Sequence, residues 1–182
     1  MSTAMTPPLA ALIYPDERHD IEDLLEGVAR RLQQSGRQVG GLVHRQSRYA
    51  NGNKCMRLVD LRSGQQFEMT EDLGVSSKAC SLNPQALAQA SVVLRQALAD
   101  GVELAVVNCF GQLEAAGGGF VQEIAAFVEA GIPVVTAVAA RHEAGWQSFT
   151  GGAFVRLPVD EQALLHWCRQ QLQREDQGDR SC

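Results

Sequence analysis

The strongest constraint in this sequence is a series of short, almost wholly apolar runs separated by stretches of helical periodicity. Leu9–Tyr14 (LAALIY), Gln38–His44 (QVGGLVH), Val102–Cys109 (VELAVVNC), Ile132–Val138 (IPVVTAV) and the shorter Ala153–Leu157 have the length and branched content of strands. Runs of this kind, without polar alternation, read as strands of a parallel sheet covered on both faces. Between the first two, Asp20 is placed to cap a helix carrying Ile21, Leu24, Leu25, Val28 and Leu32, with Gly36 as its stop. Asn83-Pro84 opens a second helix that ends at Gly101, a third is expected from about Gly118 to Ala130, and Asp160 opens a last one through Leu172. Met56–Leu61 and Gln66–Thr70 alternate apolar with polar residues around Arg62-Ser63-Gly64, as an antiparallel hairpin with one wet face does.

The predicted fold is therefore a three-layer α/β domain with a mostly parallel sheet and an inserted hairpin over residues 56–70. At 182 residues one core is expected, spanning 9–173, with a flexible N-terminus at 1–8 and a frayed polar tail at 174–182. The formal net charge of -5, with arginines scattered and only Lys54 and Lys78 as lysines, argues against a nucleic-acid partner. No apolar run approaches the roughly 18 residues that a membrane span needs. The five cysteines do not pair into a disulfide framework, and no structural metal is expected from their spacing. A cytoplasmic location is the expectation.

Ligands of open α/β sheets collect at the carboxyl ends of the strands, so the loops after Tyr14, His44, Cys109 and Val138 are the places for chemistry. The first loop, Tyr14-Pro15-Asp16-Glu17-Arg18-His19-Asp20, stands where a phosphate-binding P-loop would stand, yet has neither glycine nor lysine. A P-loop needs the glycines so that backbone amides can wrap phosphates, and the lysine to neutralise them. Crowded carboxylates at that helix start favour the helix dipole and repel polyphosphate. Past the second strand, His44, Arg45 and Arg48 have the chemistry to grip an anion, and Arg141, His142 and Trp146 form a similar set after a later strand.

The segment Val106-Val107-Asn108-Cys109-Phe110-Gly111-Gln112-Leu113-Glu114 resembles the strand-end segment of the small thermophile-type nucleoside-triphosphatase family, as does the hairpin with Leu58-Val59-Asp60-Leu61 and Ser63-Gly64. On that match Asn108 stands in place of the metal-holding aspartate and Cys109 in place of the catalytic glutamate. The resemblance implies a P-loop-NTPase-like fold with degenerate Walker motifs, because an amide and a thiol do not organise magnesium and water as two carboxylates do. A closer resemblance, across Leu9 to Trp167, is to the bacterial domain-of-unknown-function family 2478. Lys78–Pro84, Asn108–Gly119 and Gly131–Val138 with Trp146 and Phe149 carry it. It implies a link to molybdenum use and association with molybdate transport or molybdenum-cofactor proteins.

Carried over residue by residue, Asn108, Phe110, Gly111, Glu114 and Gly119 would wall a site opposite Asp20, with Gly117, Gly118 and Gly119 offering amides to an oxyanion. His44, Arg45 and Arg141 complete the expected ligand-binding set. The expected ligand is a molybdate-like oxyanion or a nucleotide-like metabolite, bound without hydrolysis. Two alternatives stay open at this level: an enzyme using Glu114 with His142 or Cys109, and a regulatory protein-interaction module. A homodimer through apolar helix faces is also left open, as is whether the hairpin covers the site.

Overall fold

A computed structural model describes residues 8–16, 20–71, 81–108 and 110–178. Leu9–Tyr14 forms β1, Ile21–Gln34 α1, Val39–Arg48 β2, Lys54–Asp60 β3 and Gln66–Glu68 β4. A two-residue ladder pairs Thr70–Glu71 (β5) with Ser81–Leu82 (β6), and Pro84–Ala99 forms α2. Then follow Leu104–Val107 (β7), Gln112–Ala115 (α3), Val121–Glu129 (α4) and Val134–Ala139 (β8). A 3₁₀ turn at Ala140–His142 leads into α5 (Glu143–Thr150), β9 (Val155–Leu157) and α6 (Glu161–Gly178).

The main sheet has seven strands in the order β4-β3-β2-β7-β8-β1-β9. From β2 to β9 every pairing is parallel, while β3 and β4 add antiparallel strands at one edge. The expected α/β fold with a largely parallel sheet and an antiparallel hairpin is therefore present. Burial explains the near-continuous apolar strands. In β1, Ala11 packs with α2, α4 and α5 through residues such as Leu94, Phe127 and Trp146, while Ala10 and Leu12 pack with α1 and α6 through Leu25, Leu32, Leu165 and Trp167. A strand covered on both faces has no position where a polar side chain is cheap.

The double glycine in β2 has a specific cause. Gly41 has a φ of 129°, and a Cβ there would lie 1.8 Å from the Val106 carbonyl oxygen of β7, so the two backbones approach too closely for any side chain.

Three expectations need correction. The predicted helix from Gly118 starts only at Val121, because Gly117 and Gly119 take positive φ in a tight turn, and the separate short helix α3 precedes that turn. The segment after β8 is not a plain loop: α5 brings Trp146 fully into the core, against Phe110 with ring centroids 4.9 Å apart. The tail expected to fray from Arg174 stays helical to Gly178, held in part by Asp176, which accepts from the Arg37 guanidinium at 2.7 Å. The expectations for residues 1–7 and 179–182, for Glu17-Arg18-His19, and for Lys78, Cys80 and Cys109 lie outside the described residues.

Candidate functional site

A cleft opens at the carboxyl ends of β1, β2, β7 and β8, where parallel sheets of alternating connectivity leave a crevice. The chain leaving β1 crosses under one face by α1 to reach β2 on the far side of β7, whereas the chain leaving β8 goes the other way by α5 to β9. Neighbouring loops therefore diverge, and the space between them is the site.

The inner part of the cleft, about 410 Å³, is walled by Tyr14, His44, Met56, Asn108, Phe110 and Ala139, among others. An outer part of about 510 Å³ is walled by Asp16, Asp23, Arg45 and Lys54. Tyr14, Glu22, Gln46 and Arg141 line both, so the two are halves of one groove. Both volumes fall in the range usual for small-molecule sites. The hairpin borders the groove: β3 contributes Met56 to the inner wall and Lys54 to the outer one.

Asn108 sits just past β7, with its backbone N–H donating to the Leu42 carbonyl of β2 at 3.0 Å. Two residues on, Phe110 bridges to Val138 of β8, so the segment stays tied to the sheet as it leaves it. Asn108 is 4% exposed, and its amide nitrogen Nδ2 is shielded and has no acceptor among the described residues. A buried donor left unpaired costs about 1–3 kcal/mol. The other buried side-chain atoms in that condition among the described residues, on Thr136, Trp146 and Trp167, line neither half of the groove.

Glu114 behaves in the opposite way. Its buried carboxylate accepts from the backbone N–H of Gly111 at 2.9 Å and of Phe120 at 3.1 Å, which braces the turn between α3 and α4. A Cβ on Gly119 would lie 1.9 Å from that carboxylate, so glycine is required by the brace itself. The amides of Gly117 and Gly118 donate to the carbonyls of Glu114 and Leu113 at 3.0 and 2.9 Å. They serve the turn, and neither these three glycines nor Glu114 is among the residues lining the groove. Asp20 occupies the position before α1 without a side-chain cap bond and also lies outside the lining. Of the expected ligand-binding set, the fold thus gathers Asn108, Phe110, Gly111, His44, Arg45 and Arg141 around one groove and leaves Asp20, Glu114 and Gly117–Gly119 apart.

The charged members are largely matched. Arg45 donates to Asp23 at 2.5 Å and also pairs with the buried Glu26, joining β2 to α1. Arg141 meets Asp16 at 2.9 Å, and its Nε donates to His142 Nε2 at 3.2 Å. His44 is partly buried, and desolvation pushes its imidazole down to about 4, so it is neutral at physiological pH. Burial, with Glu22 and Asp16 nearby, raises the Tyr14 hydroxyl above its usual value against the pull of Arg141.

Sequence reasoning missed Tyr14, Glu22, Gln46, Met56 and Lys54 as wall residues. Tyr14 had a signal, since a polar-tipped ring ending an apolar strand sits at the strand-end edge. Gln46, Met56 and Lys54 had none, because their places depend on how β3 pairs with β2.

This architecture and the position of its cleft define a three-layer α/β protein with a P-loop-NTPase-like fold. Residues 9–167 match the family described as "Protein of unknown function (DUF2478)", and the chain belongs to that family. It is 37% identical over 162 residues to the molybdenum import ATP-binding protein ModC 2 of Bradyrhizobium diazoefficiens (strain JCM 10833 / BCRC 13528 / IAM 13628 / NBRC 14792 / USDA 110). That match covers 88% of this chain and 18% of the relative, so the chain spans only a small part of that protein's length. The solution structure of a human cancer-related nucleoside triphosphatase superposes with a TM-score of 0.62 at 17% identity, over 88% of this chain and 93% of that one, which is a likeness of fold. Among the described residues no helix is long and apolar enough to cross a membrane.

Proposed function

We propose that this protein binds a small oxyanion or nucleotide-like metabolite in the strand-end groove and does not hydrolyse triphosphates. The observation that carries the reading is the groove itself, which opens at the carboxyl ends of β1, β2, β7 and β8 and is walled by Tyr14, His44, Asn108, Phe110 and Arg141.

The absence of hydrolysis rests on charge. Magnesium and a triphosphate need a surplus of cationic donors and carboxylates free to seat the ion. Here the loop after β1 has no lysine, Arg45 and Arg141 are engaged by Asp23, Glu26 and Asp16, and an asparagine follows β7. These residues do not fit a magnesium–triphosphate group. The reading includes a role beside molybdate transport, supported by the likeness to a stretch of a protein named as a molybdenum import ATP-binding protein. It also includes a cytoplasmic setting, which the buried free thiols of Cys55 and Cys168 support.

The test is a calorimetric and thermal-shift titration with molybdate, tungstate and nucleoside phosphates, run beside a phosphate-release assay with magnesium. Saturable binding with no release above background is the expected result. Magnesium-dependent phosphate release overturns the non-hydrolysing half, and the lack of any saturable ligand overturns the binding half.

A further inference from the structure

The charges of the groove cancel, while its uncharged polar groups keep hydrogen-bonding capacity to spare. Around the outer half and the waist, Asp16, Glu22 and Asp23 stand against Arg45, Lys54 and Arg141. Arg45 is held by Asp23 and Glu26, Arg141 is held by Asp16, and Lys54 is an exposed amine at the rim. An anion entering here sheds hydration without meeting an unmatched site of opposite charge, and one exposed lysine returns little of that loss. The inner half is different. Tyr14, His44, Gln46 and Gln112 come to its wall from β1, β2 and α3, the first two half-buried and the glutamines exposed. None of these four side chains makes a hydrogen bond with the described residues. Each carboxamide has two N–H donors and a carbonyl acceptor, and the phenol offers both functions. Desolvation keeps the His44 imidazole neutral, so it too has one donor and one acceptor.

We infer that the ligand is an uncharged, nucleoside-sized ring compound whose adjacent donor and acceptor atoms are read by the carboxamides of Gln46 and Gln112 in the inner half. This inference rests on the binding function proposed above and narrows it, choosing the neutral nucleoside-like class over the oxyanion. A glutamine carboxamide presents a donor and an acceptor side by side, the pattern that pairs with the edge of a heterocyclic base. Two such groups, one on β2 and one on α3, border the same space of about 410 Å³, which suits a ring with an attached sugar. Tyr14 and Met56, both half-buried, add the apolar surface against which a flat ring gives up water. An uncharged ligand leaves little hydration behind on entry, so the free neutral groups of this wall are enough to hold it.

Calorimetry on the full chain with adenosine, guanosine, cytidine and uridine, each beside its monophosphate, and with molybdate, tests the inference. At least one nucleoside is expected to bind saturably, and its monophosphate to bind no tighter, because the added dianion finds no unmatched pair of cations. Gln46→Leu and Gln112→Leu, at exposed positions that the core does not need, should each weaken that nucleoside by about two- to tenfold, the range of one hydrogen bond. Circular dichroism of both variants checks that the fold is kept. A monophosphate tighter than its nucleoside by about tenfold or more overturns the uncharged class while the binding function stands. Saturable molybdate binding with every nucleoside silent does the same. Unchanged nucleoside affinity in both variants overturns the part given to the two glutamines. If no nucleoside binds, this inference is lost, and the binding function is lost with it only when molybdate, tungstate and the nucleotides fail as well.

Discussion

The turn between α3 and α4 and the inner groove wall at Asn108 lie a few residues apart in sequence yet handle buried polar groups in opposite ways. In the turn, Glu114 meets two backbone amides and the amides of Gly117 and Gly118 find carbonyls, so the donors among these are used within the fold. At the groove, Asn108 keeps a shielded amide donor with no acceptor among the described residues. A polar residue whose bonds close within the fold is explained by stability. One whose bond stays open costs stability instead, and the fold carries that cost.

The most damaging test of this contrast is Glu114→Ala, which strands the half-buried Gly111 amide and the buried Phe120 amide. It should cost about 3 kcal/mol in urea unfolding, since each buried donor left unpaired costs about 1–3 kcal/mol. Ligand affinity measured well below the melting transition should change little. A loss of binding with stability intact would move Glu114 into the site.

A smaller effect comes from His44. Its folded pKa lies near 4, below the unfolded value of roughly 6.5, so between those values the unfolded chain holds more protons. The stability tied to the neutral ring is complete above pH of about 6.5 and is lost as pH falls toward 4. Because the ring is partly wetted, the loss should be about 1–2 kcal/mol. Denaturant midpoints recorded across this range, with His44→Gln as the reference, measure it, and identical slopes for the two proteins would contradict the assignment.

The smallest expected change is the most discriminating. Asn108→Leu removes an unpaired donor and replaces it with an apolar side chain of similar size, so unfolding free energy should move by less than about 1 kcal/mol, in the stabilising direction. A loss of several kcal/mol would show that the amide supports the fold, and the contrast with Glu114 would disappear.

Much of the architecture was legible because local pattern and tertiary environment agree. The runs LAALIY and VVTAV are buried on both faces and could be nothing but interior strands, and Asn83 before Pro84 caps α2 by accepting from the amides of Gln85 and Ala86. The site was legible only in part. Asn108 and Phe110 are legible through the family resemblance and Arg141 because it follows a strand, while the resemblance gives Glu114 and the three glycines a ligand they do not face. Glutamate beside a glycine cluster reads alike whether its carboxylate turns to a ligand or to its own backbone, and that choice depends on where Phe120 lies. α5 went unread because its residues, Glu143–Thr150, carry Trp146 and Phe149 without the periodic stripe that a longer helix shows.

By itself, then, the sequence determined the strands of the main sheet, the parallel class of that sheet and the lack of a lysine-bearing phosphate loop, since each follows from side-chain type at successive positions. The tertiary structure alone decided which polar groups are paired, which charges cancel, and that β3 lends Met56 and Lys54 to the groove. Those outcomes rest on distances between segments far apart in the chain, such as Arg45 to Asp23 and Arg141 to Asp16, and no local pattern encodes a distance.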